Sequence, residues 1–337
     1  MKRHKNLYQK IYDYDNILRA FKNARRGKGK NLYVIKFEEN LEENLKQIQT
    51  ELINETWQPA PYKKFQIYDP KHRIIHAPVF RDRIVQHAIM QILEPIFDKR
   101  FIYDSYASRK KKGIHAGVER LTQFLRRYDG FVYVLKCDVK KFFESIDHDV
   151  LIRIIRKKIA DEKVIILITK ILKNDGLEKG VTLGNYTSQW FANIILNELD
   201  YFVKQKLGVK EYLRYMDDFL LLSQSKNELH KWKHEIKNFL QDELKLELHE
   251  RKQLIFPAYI GVDFLGYVSW TDHRRLRKRN IKRFLKRLKI FEKRTDIPYE
   301  HIRGSIMSWK GYSKYANAYN LNQSIIERYP LVRMIYE

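Results

Sequence analysis

Apolar positions recur along this chain with two different periods, and the switches between them mark out its elements. In residues 1–60 the period is helical, broken at the basic, glycine-containing run Arg25-Arg26-Gly27-Lys28-Gly29-Lys30, which predicts a loop. Residues 62–80 predict two short strands about a turn at Asp69-Pro70-Lys71-His72, the second strand being Arg73-Ile74-Ile75-His76-Ala77. From Arg81 to Phe97 the helical period returns, with Ile84, Val85, Ala88, Ile89, Ile92 and Leu93 on the buried side, and residues 115–127 predict another helix. Phe131 to Cys137 is rich in β-branched and aromatic residues and ends at an acid, Asp138. Helices are expected around 149–173, and again after the turn residues at Gly184, beginning near Ser188. Two apolar arms, Glu211–Arg214 and Phe219–Leu222, flank Tyr215-Met216-Asp217-Asp218 and predict a hairpin with two carboxylates at its tip. A helix at about 227–243, strands within Phe256–Trp270, a helix from 279 to about Arg294 and a last helical block over roughly 300–328 complete the pattern. Helices and strands are mixed without regular βαβ alternation, so the expected class is α+β.

Charge narrows the partner. The 337 residues carry a formal net charge of +25, with 44% hydrophobic residues and 22 tyrosines. A folded protein with that excess repels itself and needs a polyanion nearby, for which nucleic acid is the default. No long uncharged apolar span favours a membrane. The basic start, Met1-Lys2-Arg3-His4-Lys5-Asn6, leads into no apolar run and is not read as a secretory signal. Cys137 is the only cysteine, which excludes an internal disulfide and a cysteine-based zinc finger, and the eleven histidines show no HExxH spacing. A cytoplasmic protein is expected.

The chemistry rests on pairing the hairpin with Asp138. Adjacent acids repel unless a cation or a base offsets them. By itself Asp217-Asp218 reads equally well as a surface turn. With Asp138 at the end of a buried strand, three carboxylates can meet on one sheet. Two Mg²⁺ ions about 3.5–4 Å apart would satisfy them and would clamp the attacking and leaving oxygens of an in-line phosphoryl transfer.

These residues resemble a known family. Asp138-Val139-Lys140-Lys141-Phe142-Phe143-Glu144-Ser145-Ile146-Asp147-His148 is similar to the first catalytic motif of reverse transcriptases related to group II introns. Tyr215-Met216-Asp217-Asp218 resembles their second metal-binding motif. Gly184 and Ser188-Gln189 resemble the motif between them, and Phe264-Leu265-Gly266-Tyr267 resembles the primer-grip segment. The resemblance runs from about Tyr62 to the end. It implies a right-hand polymerase with an N-terminal helical extension at 1–60, fingers at 61–130, palm at 131–270 (with a fingers segment at about 160–183) and a basic helical thumb at 271–337.

Leu183-Gly184-x-x-x-Ser188-Gln189 replaces the usual Gln-Gly-x-x-x-Ser-Pro, and this resembles the enzymes of diversity-generating retroelements. Lys2-Arg3-His4-Lys5-Asn6-Leu7 and Ser308-Trp309-Lys310-Gly311-Tyr312 look similar to that group too. The implied activity is copying of a template RNA into cDNA, with errors opposite adenine, in a bacterial, phage or archaeal host. The implied partners are template RNA, the RNA/cDNA duplex, deoxynucleotides and a small, basic, multimeric accessory variability protein. Three alternatives stay open. A retron or phage-defence enzyme is weakened by the missing Val-Thr-Gly thumb signature, and a maturase by the C-terminal extension it would need. A catalytically silent RNA-binding scaffold has no need for three converging acids.

By that resemblance Asp138, Asp217 and Asp218 are the catalytic and metal residues, with the Val139 carbonyl as a further ligand. Phe143 stands where the family excludes a ribose 2′-hydroxyl; a core aromatic is the alternative. Lys71 and Arg73 resemble the pair that holds the incoming triphosphate, Arg as a planar fork and Lys as a point charge. Lys252 approaches it from the other side or is an ordinary surface lysine. Leu183, Gly184 and Gln189 border the nucleotide, and an aliphatic Leu183 cannot hydrogen-bond to check a base pair. Tyr215, Met216, Phe264, Leu265, Gly266 and Tyr267 are the primer and template residues. Cys137 reads as a buried thiol, His87, His115 and His148 as structural or solvent-facing, and Arg109-Lys110-Lys111-Lys112 as a solvated run or template path. Arg274-Arg275-Leu276-Arg277-Lys278-Arg279 leads into a basic amphipathic helix suited to phosphates and sugars.

Overall fold

The structure is a computed structural model that describes residues 3–68 and 72–336. Its centre is a four-stranded antiparallel sheet in the order β4-β5-β3-β6, made of β3 (Tyr133–Asp138), β4 (Tyr212–Tyr215), β5 (Asp218–Ser223) and β6 (Leu254–Pro257). Two smaller antiparallel sheets flank it. One is the hairpin of β1 (Lys63–Ile67) and β2 (Arg73–Ala77); the other joins β7 (Val262–Phe264), β8 (Tyr267–Ser269) and β9 (Arg274–Leu276). Among the described residues, every pairing between these nine strands is antiparallel, so the α+β expectation holds.

Strand alternation decides what each face of the central sheet meets. Leu135, Cys137, Tyr212, Phe219 and Leu221 point into the largest core. That core also takes in the N-terminal helices (Tyr8–Tyr12, Tyr14–Arg25, Leu32–Glu39 and Leu41–Ile53) and the helices Phe80–Asp98, His148–Arg156, Glu162–Leu172, Tyr186–Tyr201 and Lys226–Leu244. Val134, Leu213, Leu220 and Leu222 point the other way, onto the helix Ile114–Leu125 and the start of β7. Asp138 and Asp218 close this second face at one end, because the register puts Val134 opposite Leu222, Lys136 opposite Leu220 and Asp138 opposite Asp218. A one-residue slip of either strand would turn its acid to the opposite, apolar face and separate the pair.

The C-terminal region builds a third core, in which Phe284, Leu288 and Phe291 of the helix Lys278–Lys293 meet Ile302, Ile306 and Trp309. Phe284 and Trp309 stack with centroids 4.1 Å apart. The expected last helical block is three helices, Tyr299–Ser313, Tyr319–Arg328 and Pro330–Tyr336. The breaks fall at Asn317-Ala318, where Asn317 is drawn off to bond Arg274, and before Pro330, which has no N–H to continue a helix. Ile92, expected on the buried side of its helix, is only half-buried.

Candidate active site

The hairpin forms as the apolar arms predict, with Met216 and Asp217 as its two-residue turn and Asp218 already the first residue of β5 rather than part of the tip. Met216 takes the left-handed conformation at φ 55°, which is costly for a side-chain-bearing residue. The turn is pinned to the end of β3, where the Val139 N–H donates to the Asp217 carbonyl at 3.2 Å. Cross-strand pairing does the rest: directly opposed residues share a face, so Asp138 and Asp218 lie side by side.

These acids share one electrostatic environment. Burial, then the charge of Asp138, pushes Asp217 above the usual carboxylate range; Lys252 and Arg73 pull it back. Burial pushes Asp218 up to about 6, with Asp138 and Asp217 adding to the rise and Lys136 and Arg277 opposing it. Two lysines supply the nearest positive charge. Lys252 Nζ donates to both oxygens of Asp138 at 2.8 Å, and Lys136 Nζ lies 3.7 Å from Asp218. The turn after the Lys226–Leu244 helix delivers Lys252, because His249 N–H bonds the Asp138 carbonyl at 2.8 Å and Lys252 N–H folds back onto the His249 carbonyl at 2.9 Å.

Asp138 and Asp217 open onto a cleft of about 710 Å³, which Asp218 does not line. Asp138, Val139, Tyr215, Met216, Asp217 and Lys252 form one wall. Arg73, Phe143, Leu183, Gly184 and Gln189 face it, so residues far apart in sequence meet there. Gly184 is required by close approach: its φ is +125°, and a Cβ there would sit 2.6 Å from the His76 carbonyl oxygen. The same contact ties β2 to Leu183, whose carbonyl accepts from His76 N–H at 2.9 Å. Phe143 is half-buried, edge-on to Phe142, and lines the cleft.

Other expectations separate from the cleft. Lys71 lies outside the described residues. Phe264, Leu265, Gly266 and Tyr267 form the β7–β8 turn and do not line the cleft; Phe264, Gly266 and Tyr267 are buried. That turn connects to the acids through Lys136, whose Nζ also donates to the Asp263 carbonyl at 2.5 Å. The Gly266 carbonyl is held by Arg277 N–H at 2.9 Å and Tyr312 Oη at 2.5 Å. Arg109 does not belong to a solvated run: it donates to Asp98, to the Ile102 carbonyl and to the Ser105 carbonyl. Cys137 is buried, and burial pushes its thiol up to about 12, which excludes a nucleophile. His148 bonds the Gly180 carbonyl, His87 stacks on Tyr186 and His115 on Tyr315, all structural placements.

Sequence reasoning passed over Lys136. The signal was present, since a residue two before a strand acid shares its face.

Comparison with known proteins fits this geometry. Residues 62–269 match the family described as Reverse transcriptase (RNA-dependent DNA polymerase). The chain belongs to this family. It is 29% identical over 315 residues to the group II intron-encoded protein LtrA of Lactococcus lactis subsp. cremoris, covering 72% of this chain and 51% of that protein. It is 26% identical over 279 residues to protein YkfC of Escherichia coli K12, covering 69% of this chain and 71% of that protein. The chain thus spans about half the length of the Lactococcus relative. Among solved structures, apo telomerase from Candida tropicalis superposes with a TM-score of 0.51 at 15% identity, over 82% of this chain and 62% of that one. At that identity the likeness speaks to the fold, which is the right-hand polymerase fold.

Members of the family generally use divalent metal ions. Among the described residues no three His, Cys, Asp or Glu side chains are gathered into a ready-made metal site. The donor set nonetheless suits a hard cation: all oxygen, with like charges crowded together. Asp218 Oδ1 is also buried with no hydrogen-bond partner, as a ligand atom without its ion would be. No helix among the described residues is long and apolar enough to cross a membrane.

Proposed function

We propose that this protein is an RNA-directed DNA polymerase that copies template RNA into cDNA, of the kind found in diversity-generating retroelements. The observation that carries the polymerase reading is the β3–β5 register, which sets Asp138 opposite Asp218, with Asp138 and Asp217 lining a cleft that Arg73 also lines. Asp138, Asp217 and Asp218, with the Val139 carbonyl, would hold two Mg²⁺ ions. When bound, such ions lower the pKa of a primer 3′-hydroxyl and neutralise charge on the departing pyrophosphate. Arg73 offers a fork to the triphosphate of the incoming deoxynucleotide. Lys252, which donates to Asp138 and lines the same cleft, would offer those phosphates a second positive charge. Phe143 presents a ring where a ribose 2′-hydroxyl would need room.

On this reading residues 1–60 are a helical extension, 61–130 fingers, 131–270 palm with a fingers segment at about 160–183, and 271–337 thumb. The extension shares the palm's core, so it is part of the folding unit. Template RNA and the RNA/cDNA duplex would lie against the basic helix Lys278–Lys293, with affinity that falls steeply with salt. A multimeric accessory variability protein is the further partner proposed.

Low fidelity rests on Leu183. Its side chain lines the cleft and offers no hydrogen bond with which to check base-pair geometry. One observation favours a second reading, a reverse transcriptase nearer the group II intron-encoded kind and without errors directed to adenine: the 29% identity to the Lactococcus protein.

Primer extension on an adenine-containing RNA template, with Mg²⁺ and four deoxynucleotides, tests both. An Asp217→Asn, Asp218→Asn double variant serves as control. Synthesis lost in the variant, with errors concentrated opposite adenine and reduced by Leu183→Gln, supports the proposal. Accurate synthesis leaves the second reading. Synthesis that persists in the double variant, or none from the native chain with its RNA and accessory protein, removes the polymerase reading.

A further inference from the structure

Behind the acid-bearing turn lies a buried polar network that the sequence motifs do not contain. Arg214, in β4, points to the opposite face of the sheet from the acids and is fully buried. Its Nε donates to Asp200 Oδ1 and its Nη2 to Asp200 Oδ2, both at 2.7 Å. Asp200 is itself fully buried, at the end of the helix Tyr186–Tyr201, and also accepts from Tyr212 Oη at 2.7 Å. The second Nη2 proton goes to Ser105 Oγ at 3.2 Å. Nη1 divides between Asn193 Oδ1 and the Met216 carbonyl, each at 3.1 Å. A guanidinium has five N–H bonds, and here every one is used.

Each anchor of this network leads to a wall of the cleft. Met216 is the left-handed residue of the turn that carries Asp217. Asn193 sits one helical turn from Gln189 and also donates to the Ala107 carbonyl at 2.9 Å. The neighbouring Ser108 donates to Gln189 at 3.0 Å. The Arg214 backbone is tied on both sides, accepting from Tyr106 N–H and donating to the Asp104 carbonyl at 2.9 Å. A buried ion pair contributes little net stability compared with apolar packing, so one with every donor committed fits specification better than strength.

We propose that Arg214 is a positioning residue for nucleotidyl transfer: it fixes the Met216 carbonyl against the helix Tyr186–Tyr201 and thereby holds the acid-bearing turn in its metal-receiving shape. This rests on the polymerase reading. Arg214→Lys tests it, because a lysine keeps the charge beside Asp200 but as a single point cannot also reach Met216. The comparison is Tyr212→Phe, which takes one hydrogen bond from the same Asp200 and leaves Met216 untouched. Melting temperature, the Mg²⁺ concentration for half-maximal single-nucleotide incorporation, and Mn²⁺ binding by electron paramagnetic resonance are measured for both.

The expected result is that both variants melt earlier. Only Arg214→Lys raises the Mg²⁺ requirement and weakens Mn²⁺ binding, each roughly tenfold. Equal metal behaviour in the two variants overturns the proposal and reduces Arg214 to packing. If the native protein incorporates no nucleotide, the polymerase reading fails separately, and Mn²⁺ binding still decides whether Arg214 shapes the turn. Should Arg214→Lys not fold, Asp200→Glu keeps both charges while displacing the guanidinium by one methylene. A raised metal requirement supports the role and an unchanged one overturns it.

Discussion

Asp82 gives the sharpest test of the electrostatics. It lies in the first turn of the helix Phe80–Asp98 and is 1% exposed. Its Oδ2 accepts from Ala60 N–H at 2.8 Å; its Oδ1 has no hydrogen-bond partner, with Arg81 Nη1 at 3.6 Å. Arg81 is committed elsewhere, to Glu51. Burial therefore wins over the Ala60 hydrogen bond and the Arg81 charge, and pushes the carboxyl up from 3.8 to about 6. A rise of that size costs the native state about 3 kcal/mol once the group is ionised. The sign follows from proton counting. Between pH 4 and 6 the native state holds a proton that the unfolded chain has released, so this group's contribution to stability falls as pH rises through that window and stays low above it. Asp82→Asn keeps an acceptor for Ala60 and cannot ionise. It places an amide donor at the partnerless position, which takes back about 1 kcal/mol. The variant should thus be more stable than the native chain by about 1–2 kcal/mol at pH 7, and the difference should close or reverse near pH 4. Urea unfolding at half-unit steps from pH 4 to 7.5 measures this. An Asp82→Asn variant that is less stable than the native chain at pH 7, with the same slope as the native chain between pH 4 and 6, would refute the reasoning and show that Arg81 governs the site.

Three further outcomes are expected. Gly184→Ala should lower stability by at least about 2 kcal/mol and abolish nucleotide incorporation, since φ is +125° and the new methyl meets the His76 carbonyl; thermal melting and primer extension check it. Tyr312→Phe removes one of the donors to the Gly266 carbonyl and the acceptor for Asn280. A loss of about 1–2 kcal/mol should follow, with products shortened on long templates while single-nucleotide incorporation is retained. His87 is pushed down to about 4 by burial first and then by Lys28 and Arg83. Its stabilisation is therefore complete above pH 6.5 and lost as pH falls towards 4, and His87→Phe should flatten the acid limb of the stability profile.

The legible parts of the fold are those where local pattern and tertiary demand agree. Phe131–Cys137 is rich in β-branched and aromatic residues and supplies a central strand; Glu211–Leu222 sets two apolar arms about a polar centre and becomes a hairpin; Ile84, Val85, Ala88, Ile89 and Leu93 keep a helical period and are buried. The acids could be placed because a strand ending in Asp138 and a hairpin tip are both local features, and only their pairing had to be supposed. The β7–β8 turn was legible as strands but not as to exposure. Nothing local says that Tyr267 turns inward to bond the Tyr312 carbonyl, or that Tyr312 reaches back to Gly266.

The least legible feature is a polar residue inside an apolar arm. Arg214 interrupts Tyr212-Leu213-Arg214-Tyr215, and strand alternation puts it on the same face as Tyr212, against the largest core. Such a placement is prohibitive for a charge unless a partner waits there. That argument alone implies a buried acid on whatever packs against β4. It does not say which, because Asp200 sits in a helix whose neighbouring residues, Asn197, Leu199 and Tyr201, look like an ordinary amphipathic end. The network is found only when the helix is laid across the sheet. Motif residues near the cleft carry chemistry that a short window can display. The residues that hold the motif in shape are spread over segments whose sole connection is spatial, and their sequence trace is a misfit: a buried arginine where the pattern calls for an apolar side chain.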